Sequence, residues 1–473
     1  MAQVPVPAHV VLASADPSPY LSMRDRPTPR AERHRMGRAL RQVVRRSQLG
    51  DWSPPPDRVD PVALVEESHQ GREDWLVPVR TARMAASPYG FLRGSAVVMA
   101  ADLARLPSTG ITPVICGDAH VGNVGFYGSP ERELVLDLND FDEAHPGPWE
   151  WDLRRMAASI WVAGRQNGHS EDDCERAVAS CSAAYREQVR RLAEQPLMDR
   201  SFERLDLPRL LAATSDPSLA AAIDAAASRA RSRTSDRALP RFTEERDGRR
   251  HIVEEPPLIT RLDEQHAEAL AVALDEYLLT LDPHWARLLG GYTILDLAHK
   301  VVGVGSVGLR AYVALCEGSS PDDVLFLQLK QARRSVVAPW VHGEQALHAH
   351  QGQRVVEYQQ ALQTVSDPLL GWTTVEGRQF YVRQFRNMKG TLALQDISAA
   401  AFADYVGICG RLLAKGHART SGASMIAGYV GPGEPLDRAM CRFARSYADQ
   451  TERDHAALVA AVRSGRVRAE HGV

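Results

Sequence analysis

Residues 301–330 read VVGVGSVGLRAYVALCEGSSPDDVLFLQLK, and the run after the glycines separates two kinds of phosphate cradle. Gly303, Gly305 and Gly308, with Ser306 between them, form GVGSVG, a G-x-G-x-x-G spacing that serves more than one nucleotide-binding fold. In a dinucleotide fold such glycines open a helix whose N-terminus holds a pyrophosphate. Here they are followed by LRAYVALCEG, which alternates as a strand does and stops at the turn GSSPDD. The flanks therefore favour a glycine hairpin lying over phosphates. Lys330 comes 22 residues past Gly308, in the apolar run VLFLQLKQA, on a strand that follows the hairpin. The chain has only four lysines (Lys300, Lys330, Lys389 and Lys415), so one placed beside a phosphate loop is a poor candidate for accident. An ammonium there suits nucleotide phosphates.

A buried ammonium needs a carboxylate. The helical run QRVVEYQQALQ supplies Glu357 one element later, with Glu344 as its rival. The strand-like RQFYVRQF comes next, so Gln384 and Phe385 are expected at a hinge-like edge of the nucleotide site, with Lys389 a candidate for the nucleotide or acceptor mouth.

A second set of polar residues lies earlier, in CGDAHVGNVGFYGSPERELVLDLNDFD at 116–142. Asp118 and Asn123 stand five apart, and Asp140 and Asp142 end a strand-like run read as pairing with TPVICGD in a short hairpin. Phosphoryl transfer asks for this set: a carboxylate to orient the acceptor hydroxyl, and oxygen ligands for Mg²⁺. Each residue also has a structural reading. Asp118 suits a turn, Asn123 a left-handed loop position, and Asp140 and Asp142 helix caps. His120 and Arg93 are further candidates for substrate contact, and loop packing or an ion pair accounts for them equally well.

The segment GDAHVGNV…LVLDLNDFDEAHPGPWEWDL resembles the catalytic stretch of aminoglycoside phosphotransferases and choline kinase-like enzymes. On that resemblance Asp118 takes the catalytic-base position, Asn123 and Asp140 (with Asp142 in support) the metal positions, and Asp152 braces the loop. Cys116 stands where those enzymes usually place a histidine. The chain as a whole also resembles the bacterial family named domain of unknown function 2252. The runs SPYGFLRGSAVVMAADL, CGDAHVGN, DLNDFDEAHPGPWEWDLRR, KVVGVGSVGLR, YVRQFRNMKG and YADQTERDHAAL carry that likeness.

In kinases the glycine loop and lysine precede the catalytic aspartate; here they come after it. The expected fold is therefore α+β, a two-lobed protein kinase-like architecture in circularly permuted order. Residues 1–60 read as a partly disordered Arg/Pro-rich segment, with a solvated or packed helix near RAERHRMGRALRQVVRRSQ. Residues 61–290 read as an α-rich catalytic region, 291–390 as a β-rich nucleotide-binding region, and 391–473 as helices completing the α-rich part. The implied activity is ATP- and Mg²⁺-dependent phosphotransfer to a hydroxyl of a small molecule or protein. A nucleotidyl or other group transferase, a non-catalytic nucleotide-binding regulator and a metallophosphoesterase are the alternatives.

The net charge of −3 argues against a general nucleic-acid binder. The six cysteines show no C-x-x-C spacing, which suits reduced thiols in a cytoplasmic protein. No run approaches the apolar length of a membrane span.

Overall fold

The computed structural model describes residues 28–470 apart from 247, 302–306, 344–346, 396 and 421. Gly303, Gly305, Ser306 and Glu344 thus lie outside the described residues. The strands are β1 (Val114–Ile115), β2 (Val124–Gly128), β3 (Leu134–Leu138), β4 (His145–Pro146), β5 (Thr243–Arg246), β6 (Arg249–Ile252), β7 (Ile259–Arg261), β8 (Thr293–Lys300), β9 (Ala311–Glu317), β10 (Val324–Gln331), β11 (Gly371–Val375) and β12 (Arg378–Gln384). The mixed α+β chain carries one six-stranded sheet, ordered β11-β12-β10-β9-β8-β7, in which every pairing is antiparallel.

Strand alternation fixes which side chains face which way. Leu325, Leu327 and Leu329 of β10 join Tyr312, Ala314, Phe380 and Val382 in a core against Leu270, Leu274 and Tyr277 of the helix Glu264–Leu278. The intervening Gln328 and Lys330 are left on the opposite face. Both β7 and this helix precede residue 291, so the sheet reaches further back than the run of alternating segments suggested. A three-residue strand is too short to show periodicity.

The expected pairing of TPVICGD with ELVLDLNDFD is corrected. β3 pairs instead with β2, in register Val124↔Leu138 to Gly128↔Leu134, and β1 pairs with β4. The strand VGFYG was obscured by its glycines, which the packing requires. A Cβ on Gly125 would come 2.4 Å from Asn139 Nδ2 and 2.7 Å from the Gly390 carbonyl. Phe126 and Gly390 exchange backbone hydrogen bonds of 2.7 and 3.1 Å, which ties the β2–β3 hairpin to the segment after β12.

Beneath the hairpin lies the main core, formed by the helices Trp149–Gln166, Glu171–Glu194, Ala399–Thr420 and Pro435–Arg463. Trp149 stacks on Tyr185 at 5.6 Å between ring centroids. The basic helix Arg30–Ala39 packs on Ala423–Val430 through glycines: a Cβ on Gly37 would sit 1.9 Å from the Met425 carbonyl oxygen. Arg41 and Arg46 then donate to the carbonyls of Gly428, Tyr429 and Val430, satisfying the orphan acceptors at that helix end. The run YADQTERDHAAL is structural. Its Asp454 shares Arg58 with Asp102, both at 2.7 Å, and Tyr447 donates to Asp102 at 2.8 Å, with the two carboxylates and the tyrosine buried. No described helix is long and apolar enough to cross a membrane, and all six cysteines are free and buried.

Candidate active site

Lys330 and the 116–142 segment meet. Lys330 Nζ lies 3.0 Å from Asp142 Oδ2 across 188 residues of chain. It also donates to Tyr381 OH, which donates to Asp142 Oδ1 at 2.8 Å. Antiparallel register explains the phenol, since Lys330 and Tyr381 are direct partners across β10 and β12. Burial opposes the ammonium's charge, but the Asp142 carboxylate prevails and holds the pKa above its ordinary value.

The expected Lys330–Glu357 pair is replaced by this one. Glu357, in the helix Gln351–Leu362, accepts from His348 Nε2 and Gln353 Nε2, both at 2.8 Å. The same helix reaches the site through Arg354, which donates to the carbonyls of Asp142 at 2.7 Å and Arg333 at 2.9 Å. Asp142, expected near a metal, is the lysine's counter-ion.

Asp152, near the start of the helix Trp149–Gln166, lies beneath the loop carrying Asp118. Its carboxylate accepts the backbone N–H of Cys116 at 2.6 Å and of Gly117 at 2.9 Å. His417 Nε2, from Ala399–Thr420, is 3.2 Å from the same oxygen that holds Cys116. With Tyr185 OH 2.8 Å from Nδ1, the network assigns the ring proton to Nε2. Gly117 takes φ +73° at this turn, and a Cβ there would lie 2.3 Å from the Glu143 carbonyl oxygen.

Asp118 receives a charged hydrogen bond of 2.6 Å from Arg155 Nε. Burial nevertheless pushes its carboxyl up to about 7, with Arg155 opposing and Asp140 adding to the rise. Asn123 Nδ2 donates to the Asp118 carbonyl at 2.8 Å, so of its two amide atoms only Oδ1 would be available to a metal. Asp140 is raised too, by burial first and then by Asp142. One carboxylate and one amide oxygen suit Mg²⁺, an ion bound largely through substrate phosphates and water. Among the described residues no group of three or more His, Cys, Asp or Glu is arranged to hold a metal by itself. His120 is 2% exposed and accepts the Gly122 N–H at 3.1 Å, so it packs the loop from within.

Between the halves lies a cavity of about 530 Å³. Three of the four lysines line it, Lys300, Lys330 and Lys389, together with Arg93 and Arg383, while Asp140 and Asp367 supply negative charge. Arg383 foremost, then desolvation and Lys330, push Lys389 down to about 7. Its side chain is exposed, however, so solvent screens much of that repulsion. Phe126, Leu258, Val301 and Phe385 add apolar wall. Gln384 and Phe385 both line the cavity, but their backbone N–H groups are already engaged: Gln384 donates to Asp367 at 2.7 Å and Phe385 to Phe326 O at 2.9 Å. A base here would be read by side chains and by shape.

The residue ending the glycine segment is held from an unexpected quarter. Gly308 takes φ +87°, its carbonyl accepts from Glu73 N at 2.7 Å, and a Cβ on it would meet the Arg72 side chain at 3.0 Å. Arg72 also donates to Val307 O at 2.5 Å. Sequence reasoning missed Arg72, Arg155, Arg354, Tyr381 and His417. Only Arg155 carried a signal, lying three residues after Asp152 and so on the same helix face.

A family model described as an uncharacterized protein conserved in bacteria (DUF2252) matches residues 72–461. No curated protein and no solved structure matches the chain.

Proposed function

The chain belongs to the DUF2252 family, and from the geometry of its site we propose that it is an ATP- and Mg²⁺-dependent phosphotransferase with a kinase-like fold in circularly permuted order. The observation that supports this reading is the seating of Lys330 on Asp142, which brings the lysine of the six-stranded sheet against the Asp140–Asp142 end of the 116–142 segment. The helix Ala399–Thr420 supports the permuted order. In kinase order it would lead into the catalytic loop, and here Thr420 Oγ1 accepts the Val114 N–H at 3.1 Å, at the strand that opens that loop.

On this reading nucleotide phosphates occupy the lysine-lined cavity, with Lys330 turning from Asp142 toward them. Asn123 and Asp140 would hold Mg²⁺, which when bound would supply positive charge to the phosphate oxygens. Asp118 accepts the proton of the acceptor hydroxyl as that oxygen forms its bond to the γ-phosphorus. The bond from the γ-phosphorus to the β–γ bridging oxygen breaks, and ADP leaves with the electron pair. Arg155 fixes the Asp118 carboxylate while burial keeps it basic enough to take the proton. Fixed charges in a water-poor cleft supply most of the acceleration.

The test is binding and turnover of MgATP by the purified full chain, compared with Asp118→Ala, Asp140→Ala and Lys330→Met. Turnover that disappears in Asp118→Ala while nucleotide still binds supports the assignment. Nucleotide binding without consumption, across a broad metabolite panel, would make the protein a nucleotide-sensing regulator. Release of AMP onto the acceptor would make it a nucleotidyl transferase.

A further inference from the structure

A second, smaller recess of about 60 Å³ lies beside the large cavity, and the two share Asp140 and Arg93 in their walls. Asp118, the proposed base, lines only the smaller one. A phosphoryl group in transfer beside Asp140 would therefore sit at the junction, with the nucleotide on one side and the acceptor on the other.

The recess has an unusual wall for an acceptor site. Arg72, Arg80 and Arg93 line it. Three of its four carboxylates already have partners: Asp118 holds Arg155, Asp142 holds Lys330, and Glu143 accepts from Val336 N at 2.7 Å, while the fourth, Asp140, is the one assigned above to Mg²⁺. The arginines are less satisfied. Arg80 is 2% exposed, with one terminal nitrogen 2.8 Å from His69 Nε2 and the other donating to Gly94 O at 2.6 Å. Its Nε is buried with no partner, and so is the Nε of Arg93. Arg333 adds positive charge behind Arg72 and Arg80, which the nearby Glu143 and, at Arg72, Asp142 offset only in part. Burying like charges together with unpaired donors is expensive unless an anion completes the set. Guanidinium groups suit carboxylate and phosphate oxygens in particular.

We propose that this recess is the acceptor subsite and that it selects a hydroxyl compound that also carries an anionic group, a carboxylate or a phosphate ester, held by Arg72 and Arg80. The assignment rests on the phosphotransferase reading for the word acceptor, while the anion site itself rests on the arginines.

The test uses the full chain loaded with Mg²⁺ and a non-hydrolysable ATP analogue, titrated calorimetrically with inorganic phosphate and, separately, with acetate. Saturable binding of either anion is expected, weakened at least tenfold in Arg72→Gln and in Arg80→Gln, and by a larger factor than any change in affinity for the analogue measured on the same variant. Stronger binding of phosphate points to a phosphorylated acceptor, and of acetate to a hydroxy acid. Arg80 is buried, so if Arg80→Gln fails to fold, the less buried Arg72→Gln carries the comparison. Absence of saturable anion binding, or equal affinity in wild type and Arg72→Gln, overturns the proposal. If the analogue itself does not bind, phosphotransfer fails; the same titration on nucleotide-free protein then decides the anion site alone.

Discussion

Asp152→Asn tests whether the loop carrying Asp118 is held from beneath. The aspartate spends one oxygen on Gly117 N–H and the other on Cys116 N–H and His417 Nε2. Asparagine keeps one acceptor oxygen and turns the other into an NH₂ group. Whichever way the amide is placed, at least one backbone N–H then faces a donor. A hydrogen bond to a charged group contributes about 1.5–3 kcal/mol, and a buried donor left unpaired costs about 1–3 kcal/mol. Part of each is recovered as the loop relaxes, so a loss of about 2–4 kcal/mol is expected. The loop also carries Asn123, and a displacement of about 1 Å at a reacting group lowers turnover by about 10²-fold. Urea unfolding and MgATP turnover, measured on the same preparations, read the two effects. His417→Gln combined with Asp152→Asn should cost less than the sum of the single changes, because both remove one network. An unchanged urea midpoint together with turnover within twofold of wild type would refute the brace.

Three other outcomes rest on the same geometry. Lys330→Met removes the cation paired with Asp142 and should destabilise the fold by about 3 kcal/mol while abolishing measurable nucleotide affinity; Lys330→Met with Asp142→Asn should regain most of the stability and none of the affinity. Lys415 and Asp137 form a buried ion pair between Ala399–Thr420 and β3, so Lys415→Met should lose about 3–5 kcal/mol, whereas Lys415→Met with Asp137→Leu should unfold near the wild-type midpoint; additive losses would argue against the pairing. Burial, with Arg80 and Arg72 assisting at His69, lowers both His69 and His145 to about 3, against about 6.5 in the unfolded chain. The unfolded state then binds more protons below pH 6.5, so stability is complete above that pH and falls toward pH 3, by up to about 1.4 kcal/mol per pH unit for each histidine. His69→Gln should flatten that acid limb, and an unchanged slope counts against the buried neutral imidazole.

What the sequence made legible was local. Alternation placed β9, β10, β11 and β12 and put Lys330 on a strand facing away from Leu327 and Leu329, because period-2 patterning needs only neighbours in the chain. The spacing of Asp118, Asn123 and Asp140 was legible for the same reason, since one loop and one hairpin carry all three. Cross-chain partners were not. Glu357 sits where an ion-pair carboxylate belongs by order of elements, but helix position cannot say that Asp142 comes closer to Lys330 once the halves fold together. The arginines of the recess were hidden by composition. In a chain so rich in arginine, Arg72 and Arg80 carry no local mark, and their meaning appears only when the helices before residue 100 cover the site.

The order of the elements matters less than what joins them. If the chain is a permuted kinase, the covalent link from the helix Ala399–Thr420 into the catalytic loop is gone, and something must hold those two pieces in place of the peptide bond. The Val114–Thr420 hydrogen bond holds them at the former junction, His417 one turn earlier reaches Asp152 beneath the loop, and Lys415 reaches Asp137 on β3. Three polar contacts from the last two turns of one helix thus hold the loop's entry, its floor and the strand that leads to Asp140. They are buried, directional and costly to break, which is what a non-covalent junction needs to fix a catalytic carboxylate to within a fraction of an ångström. On this reading the helix end at 415–420 is a positioning element of the active site, although none of its residues lines either cavity.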